Sequence, residues 1–89
     1  MNRFDVLLGS HAVKQLAALD RRTQARLVEA LHRLARAGPT PGAGIDVKRL
    51  EGRTGTWRLR IGGYRAIFEV DGTIIRVTRI GDRKNVYRT

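Results

Sequence analysis

Trp57-Arg-Leu-Arg-Ile61, Tyr64-Arg-Ala-Ile-Phe-Glu-Val70 and Thr73-Ile-Ile-Arg-Val-Thr-Arg-Ile80 alternate apolar with charged or polar residues and are separated by Gly62-Gly63 and Asp71-Gly72. A period of two marks strands buried on one face, and two-residue glycine loops mark hairpins. With Gly62-Gly63 as the first loop, Ile61 faces Tyr64, Arg60 faces Arg65, Leu59 faces Ala66, Arg58 faces Ile67 and Trp57 faces Phe68. With Asp71-Gly72 as the second, Val70 faces Thr73, Phe68 faces Ile75 and Ala66 faces Val77. One face of this meander, with Trp57, Leu59, Ile61, Tyr64, Ala66, Phe68, Val70, Ile75 and Val77, is then a core wall. The reverse face gathers Arg58, Arg60, Arg65 and Arg76. Arg60 and Arg65 oppose each other at about 4.5–5.5 Å and repel by a few tenths of a kcal/mol or more, which an anion bound between them would relieve. The plain alternative is a solvated basic face whose long side chains splay apart.

Composition points the same way. Lys and Arg number 18 against 8 Asp and Glu, a net charge of +10. That is more than solubility needs and implies a polyanionic partner, nucleic acid first. Fifteen of the 18 basic residues are Arg, whose guanidinium fork suits phosphate and stacks on bases, although a bias toward arginine codons would give the same skew. The 89 residues make one domain, 1–89, with room for one layer of helix against a sheet and only a shallow active surface. There is no cysteine, so disulfides and thiolate metal sites are excluded. His11 and His32 lie in helix-like segments without ligand spacing, and neither a metal nor a cofactor is expected. Without a secretory signal or a membrane-length apolar run, the default location is cytoplasmic, with no membrane partner.

Upstream, Arg3–Leu8 reads as a short strand ended by Gly9, with Ser10 as a helix N-cap. A helix over His11–Leu19 follows, its apolar positions Val13, Leu16 and Ala17, and Asp20 caps the next. The second helix, Arg21–Ala37, carries a stripe of Leu27, Val28, Leu31, Leu34 and Ala35. Arg22, Arg26, Arg33 and Arg36 lie largely outside it, and Gly38-Pro39 stops it with a left-handed cap. Thr40–Ile45 reads as a loop and Val47–Leu50 as an extra edge strand before a turn over Gly52–Gly55. The order strand, helical hairpin, strands is an α+β fold: β-α-α-β-β-β, with an antiparallel sheet of three to four strands and both helices on its apolar face. The C-terminal Arg83, Lys84, Val86, Tyr87 and Arg88 form either a frayed basic tail or a segment folded back over the charged face.

The Leu50-Glu-Gly52 lead-in, the basic-X-basic strand Arg58-Leu-Arg60, the Gly63-Tyr-Arg65 turn exit, the Glu69-Val-Asp-Gly72 hairpin, and Gly81-Asp-Arg83 followed by Val86-Tyr87 together resemble the RelE/ParE superfamily of toxin-antitoxin toxins, over nearly the whole chain. The resemblance implies a ribosome-dependent, metal-independent endoribonuclease that cuts mRNA in the ribosomal decoding site. There a ribose 2′-hydroxyl attacks the adjacent phosphate, and a cognate antitoxin protein neutralises the enzyme. Carried over residue by residue, the family's functional set becomes Arg58, Arg60, Arg65, Arg83 and Tyr87. It gives Arg65 the scissile phosphate, Arg60 backbone positioning or charge stabilisation, Arg83 the leaving side, and Tyr87 base stacking or proton relay.

The chain departs from that pattern twice. Several members carry lysine at the position of Arg58, and arginine does not lose its proton. Many carry histidine where this chain has Asp82. The groups left to act as base are Tyr87, Glu51, Glu69 and Asp82, with Glu69 equally placed to be a salt-bridge partner of Arg58 and Arg65. Strand parity sends Trp57 and Tyr64 into the core rather than to a base. It leaves Ile67, Ile74 and Ile80 exposed among the arginines, suited to a partly apolar antitoxin segment. Two other classes compete: a ParE-like inhibitor of DNA gyrase without nuclease activity, and a non-enzymatic RNA-binding module.

Overall fold

The computed structural model describes residues 2–40, 44–50, 52, 55–84 and 86. Its elements are β1 (Asp5–Leu8), α1 (Ser10–Ala17), α2 (Arg21–Ala37), β2 (Asp46–Arg49), β3 (Thr56–Ile61), β4 (Tyr64–Asp71) and β5 (Ile74–Asp82). The fold is α+β, as its element order requires. The sheet has five strands in the order β1-β5-β4-β3-β2. It is mixed, because β1 joins parallel to β5 with Val6 beside Ile75 and Leu8 beside Val77. The edge strand β2 begins at Asp46, one residue before the expected Val47.

The first hairpin has the expected register, from Ile61 opposite Tyr64 through Arg60 opposite Arg65 to Trp57 opposite Phe68. The second is displaced by two residues: Asp71 faces Ile74, Val70 faces Ile75 and Phe68 faces Val77. Its loop is Gly72-Thr73 rather than Asp71-Gly72. Gly62 and Gly72, at the first loop positions, have φ of +57° and +60° while Gly63 and Thr73 do not have positive φ, the pattern of a type II′ turn, whereas Asp-Gly is a type I′ pair. A shift of two preserves which face each residue occupies, so Ile75 and Val77 still enter the core.

A second irregularity does change faces. Between Ile67 and Phe68 the β4–β5 register slips, so that Ile67 faces Arg79 and Ala66 faces Ile80, with Thr78 the additional residue of a bulge. Ile80 is thereby buried, at 1% exposure, and not exposed among the arginines as strict alternation implied. The cause is hydrophobic: unbroken alternation would bury Arg79 and expose Ile80.

Ala12, Leu27, Leu31 and Leu34 of the helices pack on Leu59, Ala66, Phe68, Ile75, Val77 and Ile80 of the sheet, each large side chain stabilising by about 1.5–3 kcal/mol on burial. Trp57 stacks on Phe68 with ring centroids 6.3 Å apart, and Arg49 covers the Trp57 ring at 5.9 Å. Val13 and Val28, expected on the buried stripes, are exposed. In α1 Leu16 packs on the core as expected, while Ala12 takes the buried place expected of Val13 and Ala17 is exposed. Ser10 is the first helical residue and not the cap, a position Gly9 holds without a side-chain hydrogen bond.

The α2 termini explain its sharp limits. At the start, the Asp20 carboxylate accepts from the Thr23 hydroxyl at 2.6 Å and from its backbone N–H at 3.2 Å. These bonds, the hydroxyl's first, hold the Asp20 carboxyl below its ordinary value of 3.8. At the end, Gly38 donates to the Leu34 carbonyl at 2.7 Å with φ +74° and ψ −175°. This positive-φ extended conformation is essentially restricted to glycine. A Cβ there would also lie 2.5 Å from Phe4 Cε1.

Two outcomes follow from these termini. Gly38→Ala destabilises the fold by about 2–3 kcal/mol, measured as a lowered urea midpoint; an unchanged midpoint would contradict the constraint. Asp20→Ala lowers the melting temperature at neutral pH. Because the folded-state pKa is depressed, that difference is full above the unfolded value and shrinks as pH falls through the folded one. A difference that persisted in strong acid would point to another cause.

Candidate nucleic-acid site on the arginine face

On the sheet face away from the helices, two rows of side chains cross the strands. One contains Asp46, Arg60, Arg65 and Gly81; the next contains Lys48, Arg58, Ile67 and Arg79. Arg58, Arg60 and Arg65 therefore share one face. They do so because their neighbours Leu59 and Ala66, each at 0% exposure, must point the other way.

The four described arginines of the predicted set differ in how they are held. Arg60 is exposed. Arg65 is half-buried, and its Nη1 donates to the carbonyls of Tyr64 at 3.3 Å and Gly62 at 3.5 Å, folding the guanidinium back toward the β3–β4 loop. The Arg58 side chain is 16% exposed, with Nη2 at 3.2 Å from Asp46 Oδ1. Its Nε is buried without a hydrogen-bond partner. Arg83 is tied by its backbone N–H to the Gly63 carbonyl at 3.1 Å, which brings the chain after β5 against the same loop. Tyr87 and Glu51 lie outside the described residues.

Glu69 does not pair with Arg58 or Arg65. It is exposed in the following row, between Thr56 and Arg76, and the carboxylate on Arg58 comes from Asp46 instead. The Asp82 carboxylate accepts from the Lys84 N–H at 3.0 Å, closing a turn in which the Val86 N–H donates to the Asp82 carbonyl, also at 3.0 Å.

That turn folds back. Val86 is 1% exposed, and a Cβ on Gly81 would lie 3.4 Å from its Cα. Since Gly81 faces Arg65, Val86 sits on the arginine face, in space that a side chain at 81 would fill. Ile67, on the same face, is 4% exposed and belongs with Val86 to neither the helix-side core nor solvent. Two buried apolar side chains, Ile67 and Val86, thus lie among the arginine rows of this face. The chain end is not a frayed tail as far as Val86.

Three charged residues of this face, Asp46, Lys48 and Arg79, were absent from the predicted set. Asp46 lies two positions before Lys48 and would have been found by extending the β2 alternation by one residue. Arg79 was hidden by the bulge, whose signal is the break between Val77 and Ile80 in an otherwise alternating strand. His11 and His32 are exposed.

Gly81→Val expels the 83–86 turn. Hydrogen exchange at the Arg83 and Val86 amides then accelerates by about tenfold or more, with much smaller change at the Ala66 and Val77 amides. Unaltered protection at Val86 would show that the turn does not depend on the missing side chain.

Residues 6–87 match the family described as the ParE toxin of the type II toxin-antitoxin system parDE. A protein named RelE1 from Methanocaldococcus jannaschii is 30% identical over 88 residues, 97% of each chain. Toxin RelE3 of the same organism is 37% identical over 43 residues, so the chain spans about half (49%) of that relative. Among solved structures, the RelB-RelE antitoxin-toxin complex from Methanococcus jannaschii contains a chain superposing with a TM-score of 0.76 at 25% identity, covering 91% of this chain and 94% of that one.

Proposed function

We propose that this chain, which belongs to the ParE toxin family within the RelE/ParE superfamily of type II toxin-antitoxin systems, is an endoribonuclease acting on mRNA in the ribosome. It cleaves without a metal, by attack of a ribose 2′-hydroxyl on the adjacent phosphate. The observation that carries this reading is the Arg60–Arg65 opposition, flanked by Arg58 and the loop-anchored Arg83. Arg58, Arg60 and Arg65 share one sheet face, and the Arg83 backbone is held at the adjoining β3–β4 loop.

Such cleavage develops a dianionic phosphorane, and a preorganised cationic cluster stabilises that charge more than it stabilises the ground-state monoanion. Arg65, between the strands, takes the scissile phosphate; Arg60, the exposed member, positions the neighbouring backbone; Arg83 attends the leaving 5′-oxygen. Tyr87, immediately after the packed Val86, is assigned to stacking or proton relay on the family resemblance alone. Arg58 contributes charge and not proton abstraction, because a guanidinium stays protonated. The partner that silences the toxin is a cognate antitoxin, a reading supported by the likeness to the RelB-RelE antitoxin-toxin complex.

A second reading is favoured by the ParE name of the matching family: inhibition of DNA gyrase without nuclease activity. One pair of assays separates them. On translating ribosomes the wild-type protein cleaves mRNA and Arg65→Ala does so at least about a hundredfold more slowly, while gyrase supercoiling is unaffected by either. Supercoiling inhibition without any cleavage would replace the nuclease reading with the gyrase one.

A further inference from the structure

We propose that Arg79 is a further phosphate-binding residue of the arginine face and that Gln15 is the positioning residue that holds it there. Both statements rest on the reading of this face as a nucleic-acid site.

The register is the first ground. Ile75 and Val77 point into the core, and simple alternation would send Arg79 after them. The Thr78 bulge turns Arg79 outward, opposite Ile67, and Ile80 inward, opposite Ala66. Two hydrogen bonds secure the bulge: the Thr78 hydroxyl donates to the Ile67 carbonyl at 3.3 Å, and the Ile80 N–H donates to Gln15 Oε1 at 2.7 Å. The second comes from a different layer. Strand β1 ends at Leu8, opposite Val77, so beyond Val77 the outer edge of β5 has no neighbouring strand among the described residues. Helix α1 lies along that edge, and Gln15 supplies an acceptor where the bulged register aims the part-buried Ile80 N–H. In the unbulged register that N–H would point toward β4 and Gln15 would lose its partner.

Position on the face is the second ground. Gly81, opposite Arg65, has no side chain, so the nearest β5 side chain to Arg65 on this face is Arg79, on the diagonal at about 7–8 Å, within reach of long side chains. Arg58 occupies the corresponding diagonal on β3. Arg65 is thus bracketed by Arg60 directly, Arg58 on one side and Arg79 on the other. A phosphodiester backbone that crosses the strands here passes arginines on three adjacent strands, Arg58, Arg65 and Arg79, an arrangement that suits single-stranded RNA.

The test is binding of the full chain to a single-stranded 2′-O-methyl RNA, which lacks the attacking hydroxyl and cannot be cut, over a range of salt concentration. Each lost phosphate contact reduces the slope of log K against log salt by about 0.7. Arg65→Gln, Arg79→Gln and Gln15→Met each show that reduction. Gln15→Glu, which keeps an oxygen for the Ile80 N–H, retains the wild-type slope, as does Arg22→Gln on the helix layer. A wild-type slope in Arg79→Gln beside a reduced one in Arg65→Gln removes Arg79 from the site. Wild-type slopes in both remove the nucleic-acid reading of the face and this proposal with it. Equal losses in Gln15→Met and Gln15→Glu, or no loss in Gln15→Met, remove the positioning role.

Discussion

Burial of Leu59 and Ala66 forces Arg60 and Arg65 to face each other, and the rest of the molecule is arranged around that constraint. In a hairpin with Gly62-Gly63 as its loop, the pairs alternate between faces, so a core pair at Leu59–Ala66 leaves the neighbouring pair no choice of side. The repulsion is a few tenths of a kcal/mol at a solvated surface, while burying the apolar partners on the other face contributes several kcal/mol. The core therefore wins easily, and it holds in place a charge arrangement that would relax apart on a flexible loop. A cluster held by a core is preorganised: its reorganisation cost is met during folding and not when an anion arrives.

The arginine face is not simply a polar exterior. Gly81 opens a gap in the row that contains Arg65, and Val86 fills it from above; Ile67 lies in the adjoining row between Arg58 and Arg79. Packing of Val86 into that gap accompanies the Arg83 N–H bond to the Gly63 carbonyl, which holds the chain after β5 beside the β3–β4 loop.

Where sequence reasoning succeeded, a strong local signal coincided with the tertiary demand. The limits of α2 follow from Asp20 and Gly38, and the β3–β4 register from alternation on both sides of a glycine pair. It failed where two signals of similar strength disagreed. Asp71-Gly72 is a good type I′ loop, but the chain uses Gly72-Thr73, because a two-residue shift keeps every apolar residue on its face while meeting a different turn geometry. Along β5, strict alternation was extended past Val77, although Arg79 and Ile80 invert it. The inversion was legible in the residues themselves. What was not legible is the acceptor that satisfies it, since Gln15 is 65 residues from Ile80 and nothing local to either marks the pair. The Arg58 partner was missed for a related reason: Glu69 shares its face, but the carboxylate on Arg58 is that of Asp46, on an edge strand placed one residue too late.

The Arg58–Asp46 pair limits what this face can do chemically. A lysine at this position could give up its proton in so positive a setting, whereas Arg58 is permanently charged, held by one carboxylate oxygen and left with a buried Nε that no group accepts. Its contribution is thus field and position. The carboxylates that remain nearby are engaged or displaced, Asp82 by the Lys84 N–H and Glu69 by its place one row further along. The pair also shows how a protein carboxylate addresses this cluster. Asp46 reaches Arg58 from the neighbouring strand and leaves Arg60, its direct opposite in the register, exposed. A partner that brings an acidic side chain to Arg60 would complete from outside the neutralisation that Asp46 begins from within. On the proposed function, Arg60 positions the RNA backbone, and an acidic segment bound there would compete with it for the same charge.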